Sequence, residues 1–223
     1  MIDRCKINFI HADCMKYMRD VPDNHYELAI CDVPYGIKIG GNGKIGGNGK
    51  ITSVTEYKPV KWDDNIPEKE YFTELKRISK NQILWGGNYL TENLTISSGW
   101  IVWDKKEKND WDDNFSDGEL AWSSFNKPLK IFRYLWMGAL RKKSEDEHIR
   151  IHPTQKPVKL YEWLLSNYAK EGDKILDTHG GSFSHACAAW NLKFDLDIIE
   201  LDIDYFNSGK ERFEKHKSQL LIF

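Results

Sequence analysis

Asp32, Val33, Pro34 and Tyr35 follow the apolar run YELAIC and lead into the stutter KIGGNGKIGGNGK. A carboxylate, a main-chain carbonyl and an aromatic ring at one strand end suit an exocyclic amine. The amino nitrogen of adenine is conjugated with its ring and is a poor nucleophile. Acceptors on both of its N–H groups favour the tetrahedral geometry needed for attack on a sulfonium methyl. The Asp32 carboxylate and the Val33 carbonyl are such acceptors, Tyr35 can stack on the base, and Pro34 stiffens the turn. A site of this kind works through orientation and preorganised electrostatics, with no covalent intermediate.

A second group lies far along the chain. KILD ends in Asp177 and is followed by Thr-His-Gly180-Gly181-Ser182, and the next apolar run, FDLDIIE, ends in Glu200. Glycines let main chain approach a ligand, and an acid at the next strand end can accept both hydroxyls of a ribose. A nicotinamide-dependent dehydrogenase shares these two features, but GxGxxG is poorly matched and leaves DVPY unexplained. Taken alone, GGS is also ordinary turn chemistry.

Alternating strand and helix patterns must position these groups. KINFIHAD, YELAICD, NQILWGGN, GWIVWDK, LKIFRYLWM, KILD and FDLDIIELD read as strands. CMKYMRDV, PEKEYFTELKRISK, the stretch after HPTQKP, SHACAAWNL and the C-terminal segment read as helices. Such alternation implies a doubly wound, mostly parallel α/β sheet with helices on both faces. Ligands then bind outside the carboxyl ends of the strands, which places both groups on one edge. At 223 residues the chain suits one domain, residues 1–223, with no dividing linker. The glycine-rich stretch 38–51 reads as a mobile loop, because each glycine adds backbone entropy.

Composition narrows the function classes. With 40% hydrophobic and 30% charged residues, the chain reads as a soluble globular protein. No apolar stretch reaches the ~20 residues of a membrane span, and MIDRCKINFIHAD lacks a signal-peptide layout. Four cysteines without CxxC spacing suggest neither a disulfide framework nor a zinc site. A cytoplasmic protein with reduced thiols and no metal is the expectation. Net charge is −2, yet residues 127–150 hold seven bases against three acids. Residues 38–61 likewise hold five lysines against Glu56 alone, so a basic surface can still meet a polyanion.

CDVPYG, HPTQKPVKLYEWLL, LDTHGGSFS and IIELDIDYFNSGKERF, in that order, resemble the amino-methylating DNA methyltransferases with a D-P-P-Y motif. The order is that of the β-type members, in which the catalytic half precedes the cofactor half. DTHGGS and WGGN are similar to small methyltransferases of phage and prophage origin. The resemblance implies a Rossmann-like sheet of circularly permuted motif order, S-adenosyl-L-methionine as cofactor and DNA as partner. It makes Asp32, Val33, Pro34 and Tyr35 catalytic. Asp177, Gly180, Gly181 and Ser182 would hold the methionine part of the cofactor and Glu200 its ribose. Asp13 would meet the cofactor's adenine amine, with Thr154 and Lys156 beside its carboxylate. A helix cap is the alternative for Asp13, and a surface lysine for Lys156.

Val33 stands where the family has proline, adding an N–H and losing rigidity. Phe183 stands where a second loop glycine is common. Asp rather than Ser at position 32 favours adenine N6 over cytosine N4. The base must be flipped out or single-stranded to reach such a turn. Residues 104–150 occupy the place of a target-recognition region, and Lys44, Lys50, Arg133, Arg141, Lys142 and Lys143 are candidate phosphate contacts. Trp136 reads as core. Gln219-Leu-Leu-Ile-Phe223 is similar to the short peptide that docks bacterial replication proteins on the sliding clamp; a helix end packing back is its alternative. Related enzymes can pair, so a homodimer is a further expectation. A catalytically silent DNA-binding module is the rival of another class.

Overall fold

A computed structural model of the chain describes residues 5–39, 44–45, 55–56, 62–107, 116–137, 140–141 and 150–219. Its centre is an eight-stranded sheet. In chain order the strands of that sheet are β1 (Ile7–His11), β2 (Tyr26–Cys31), β5 (Ser79–Trp85), β6 (Trp100–Asp104), β7 (Gly118–Ser123), β8 (Lys130–Arg133), β11 (Lys174–Asp177) and β12 (Asp195–Glu200). The short pairs β3 (Lys44–Ile45) with β4 (Thr55–Glu56) and β9 (Trp136–Met137) with β10 (Leu140–Arg141) form two separate ladders.

The spatial order is β1-β12-β11-β2-β5-β7-β6-β8. Neighbours from β1 to β5 run parallel, whereas β7 is antiparallel to both β5 and β6. Two late strands are therefore inserted between two early ones. This insertion sets the glycine loop after β11 beside the Asp32 turn after β2. Reversal of β7 has an equal consequence: its first residues, not its last, reach the edge where the parallel strands end.

The helices cover both faces because their apolar residues recur at helical spacing. In α2 (Lys69–Ile78), Tyr71, Phe72, Leu75 and Ile78 are buried while Glu70 opens and Arg77 closes the helix. With α1 (Cys14–Arg19) it covers one face, where Met18, Tyr26, Ala29, Leu84 and Ile199 form one core. On the other face α3 (Val158–Tyr168) and α4 (Ser184–Leu192) meet Leu28, Ile30, Ile175 and Ile198. Small residues allow α4 this place; Ala186, Cys187, Ala188 and Ala189 are all fully buried. The last helix, α5 (Ile203–Gln219), packs near α4, β1 and β12.

The doubly wound, mostly parallel sheet matches the sequence expectation. Two details differ. LKIFRYLWM is two strands rather than one, and Gly118–Ser123 is a strand absent from those read in the sequence. Residues 104–150 thus include two strands of the main sheet. Trp136 is buried, its indole N–H donating to the Gln155 carbonyl at 2.9 Å. No helix among the described residues is long and apolar enough to cross a membrane.

Phe183 explains two glycines. Its backbone is left-handed at φ 56°, as a glycine there would be, but its ring is fully buried and stacks on Phe9 at 5.1 Å. A Cβ on Gly209 in α5 would lie 2.8 Å from the root of that ring. Glycine to alanine inside a helix ordinarily stabilises by about 1 kcal/mol. Here Gly209→Ala is expected to destabilise by roughly 1–3 kcal/mol through overpacking, measured by urea unfolding.

Candidate active site

The turn after β2 is fixed from three sides. Val33 is buried in the α1–α2 core, which anchors the turn through an apolar side chain. Asp63, itself buried, accepts main-chain N–H groups from Tyr35 at 2.6 Å, Gly36 at 3.1 Å and Ile39 at 2.9 Å. Gly86, at φ +72° just beyond β5, lets the Tyr35 ring lie against the backbone; a Cβ there would come within 2.2 Å of it. The rigidity that a second proline would supply comes here from packing and a buried carboxylate.

Asp32 sits in a compact charge cluster. Its Oδ1 receives the Lys156 ammonium at 2.7 Å and the Tyr35 hydroxyl at 2.7 Å. Lys156 also pairs with Glu119 Oε2 at 2.9 Å, and Lys105 caps the other oxygen of Glu119. Both of these contacts of the Asp32 carboxylate fall on Oδ1; among the described residues Oδ2 has no hydrogen-bond partner. Burial raises the Asp32 pKa, Lys156 pulls against it, and the nearby Glu119 charge adds to the rise. Burial would raise Glu119 too, but Lys156 and Lys105 together bring it down to about 2. Burial works against the Lys156 ammonium, yet the two carboxylates leave its pKa raised. The two acids are pushed apart: Glu119 stays an anion and Asp32 is the one able to take a proton.

The opposite wall is the glycine loop. Gly181, at φ +52°, donates its N–H to Glu200 Oε2 at 2.7 Å, and Asp202 N–H donates to Oε1 at 2.8 Å. Burial raises the Glu200 pKa. Gly180 is required from behind rather than from the ligand side, because a Cβ would strike Phe183 at 2.4 Å. His152 covers Gly181 and contacts Tyr205, their rings 4.4 Å apart; burial, with Arg150 and Lys156, lowers its pKa to about 3. Arg212, buried on α5, donates to the Ser182 carbonyl at 2.7 Å and braces the loop.

Both walls line one cavity of about 1020 Å³, which Asp32, Tyr35, Glu119, Lys156, Gly181 and Glu200 all border. Val33, Pro34, Asp13, Thr154, Gly180 and Ser182 border it as well. Asp13 is a helix cap, its Oδ1 accepting from Met15 N–H at 2.8 Å, and it faces the cavity besides. Thr154 Oγ1 lies 3.1 Å from His152 Nδ1.

One placement differs from expectation. Asp177 does not border the cavity: its oxygens turn back to His179 N–H at 3.0 Å and to His185 Nδ1 at 3.0 Å, so it shapes the loop from below. Lys156, expected beside the cofactor's carboxylate, borders the cavity and is buried rather than the surface lysine of the alternative, and its charge goes to Asp32 and Glu119. Arg133 pairs with Asp104 at 3.4 Å and stands apart from the cavity. Lys44 and Arg141 fall in β3 and β10, whereas Lys50, Lys142, Lys143 and most of 38–51 lie outside the described residues. Gln219 ends α5, and residues 220–223 are also outside them. Sequence reasoning missed Asp63, Lys105, Glu119 and Tyr89. Only Tyr89 carried a signal, standing directly after the WGGN turn.

A doubly wound sheet with a nucleoside-sized cavity between an acid–aromatic turn and a glycine loop defines a class of group-transfer folds. Comparison then gives the family. The profile described as DNA methylase, for N6/N4 methyltransferases, matches residues 87–211. The type II methyltransferase M2.LlaDCHI of Lactococcus lactis subsp. cremoris is 30% identical over 156 residues, 66% of this chain and 54% of that protein. M2.MboI of Moraxella bovis is 23% identical over 252 residues, 96% of this chain and 89% of that protein. The chain therefore spans about half the length of M2.LlaDCHI. Among solved structures, the M1.HpyAVI–SAM complex superposes with a TM-score of 0.59 at 21% identity, covering 92% of this chain and 98% of that one. The cytosine-N4-specific PvuII DNA methyltransferase gives 0.60 at 10% identity, covering 96% and 91%. The chain belongs to the N6/N4 DNA methylase family.

The charge cluster makes opposed predictions. Replacing Lys156 removes the strongest downward pull on Asp32, so Lys156→Gln is expected to raise its carboxyl pKa further. Glu119→Gln removes a neighbouring anion and leaves Lys156 to Asp32, so the same pKa falls. Carbon-13 NMR titration of labelled aspartate reads both shifts; movement in one common direction contradicts the cluster as described.

Proposed function

We propose that this protein transfers the methyl group of S-adenosyl-L-methionine to N6 of adenine in DNA, the base being flipped out of a duplex or single-stranded. The observation that carries this reading is the Asp32 carboxylate. One of its oxygens is pinned by Lys156 and Tyr35 and the other lacks a partner among the described residues, on the cavity that Gly181 and Glu200 also border.

The residues fit the cofactor. About 1020 Å³ is at the upper end of ordinary ligand sites and has room for a nucleoside and a base together. Glu200, at a strand end beside the glycine loop, suits a ribose diol. Gly180, Gly181 and Ser182 border the place for the amino-acid part, Gly180 shaping the loop from behind, Thr154 borders the same cavity, and Asp13 suits the adenine amine. The bound cofactor supplies an electrophilic methyl group on sulfur.

The chain's own groups do the rest. Asp32 Oδ2 accepts one N–H of the target amine and the Val33 carbonyl the other, which turns the nitrogen lone pair out of conjugation. Tyr35 stacks on the base, its hydroxyl held by Asp32 and by Lys156 at 3.2 Å. As the nitrogen sheds its proton, Asp32 is placed to hold it, since burial raises its pKa above that of an ordinary carboxylate. Adenine is preferred to cytosine because Asp stands at position 32. The parts of 104–150 outside the sheet would read the target, with Lys44, Lys50, Arg133, Arg141, Lys142 and Lys143 on phosphates.

Unmethylated bacterial DNA incubated with labelled cofactor tests this directly. N6-methyladenine should appear on digestion, and Asp32→Ala should cut its formation at least a hundredfold. N4-methylcytosine instead would reassign the base, and DNA binding without any transfer would favour a silent module. Acceptance by Asp32 requires its anion. The rate should therefore fall as pH drops through a pKa above the usual carboxylate range, with His152 and His179, held at about 3 and 4, adding no limb near neutrality.

A further inference from the structure

Tyr35 already has a stacking partner. Tyr89, on the turn after β5, lies over its ring with centroids 5.3 Å apart and planes within 14°. The two rings differ in freedom. Tyr35 is held through its hydroxyl by Asp32 and Lys156 and through its N–H by Asp63. Tyr89 is 46% exposed, and among the described residues its hydroxyl has no hydrogen-bond partner. Its main chain is secured by an N–H to the Gly86 carbonyl at 2.8 Å, so the side chain can turn while the turn stays. Both rings border the cavity. A planar base cannot enter between them at this spacing, since each stacked contact needs about 3.5 Å of its own.

We infer that Tyr89 fills the stacking position over Tyr35 that the target base must take, so that base entry displaces it. Tyr89 is a built-in competitor: it covers the apolar ring of Tyr35 when no DNA is bound and leaves on engagement. This rests on reading the site as a base-accepting centre. Among the described residues Tyr89 makes no hydrogen bond or ion pair with Asp32, Lys156 or Glu119 and meets the cluster only through the Tyr35 ring, so its removal should alter base binding rather than the transfer step.

The test uses the full chain, Tyr89→Ala and Tyr89→Trp, and a single-stranded oligodeoxynucleotide carrying 2-aminopurine in place of adenine. Quenching of the probe reports stacking without turnover, and methylation of unmodified DNA gives KM and kcat. Loss of one aromatic stack should lower Kd and KM about 3- to 10-fold in Tyr89→Ala, with the change falling on KM rather than kcat. The larger ring of Tyr89→Trp should raise both. Weaker binding or a lower kcat in Tyr89→Ala would make Tyr89 a wall that clamps the base, and unchanged values in both variants would make it a bystander; either overturns displacement. Calorimetric binding of S-adenosylmethionine shows that each variant is folded. A wild-type protein that neither quenches the probe nor methylates DNA removes the base-binding reading itself.

Discussion

The ammonium of Lys156, buried between the carboxylates of Asp32 and Glu119, is the contact on which the site depends. Each partner comes from a different part of the chain: a parallel strand end, an antiparallel strand start, and the turn before α3. Two carboxylates this close cannot both remain ionised in a dry setting without a cation between them. Removing Lys156 would leave the Asp32 carboxylate without its cation, a fault that ordinarily costs several kcal/mol. The fold is therefore committed to the geometry in which Asp32 keeps one oxygen pinned and the other open. Lys105, on the far side of Glu119, completes the neutralisation and draws that acid well below its usual range.

Strand order and strand direction together make this meeting possible. With β11 and β12 inserted between β1 and β2, the glycine loop and the Asp32 turn become neighbours across one parallel pair. A reversed β7 then delivers Glu119 to the same edge from a strand that starts there. Had β7 run parallel, Glu119 would lie at the opposite rim and Lys156 would face one acid instead of two.

Local patterns made part of this visible in advance. An apolar run closing on Asp-Val-Pro-Tyr, and another closing on Glu200, carry their meaning in a few adjacent residues. The small-residue helix SHACAAWNL shows its burial in the same way. Glu119 could not be found so, because it ends an acidic run and its role follows from strand direction, a tertiary property. Asp63 looks like any acid after a tryptophan; only the folded loop aims three N–H groups at it. Gly180 was legible as a glycine that matters but not for which side, and Asp177 as a strand-end acid but not as one facing inward. Asp13 shows two expected roles combined in one carboxylate, a cap through Oδ1 and a cavity wall.

The substitution of Val33 for proline shows how such a turn can keep its shape. Proline restrains the backbone within one residue by fixing φ. Valine leaves that freedom, but its β-branched side chain is nearly rigid at χ1 and here is sunk among apolar neighbours. The N–H groups that follow the turn are then drawn to Asp63, which also ties Ile39 to it. Restraint is thereby moved from a ring closed on itself to contacts made by the surrounding fold. A turn restrained this way is as stiff as its neighbours are, and they include β2, α2 and the segment before it. Order at Asp32 and the Val33 carbonyl consequently depends on the packing of this face of the sheet, whereas a Pro-Pro turn would carry more of that order locally.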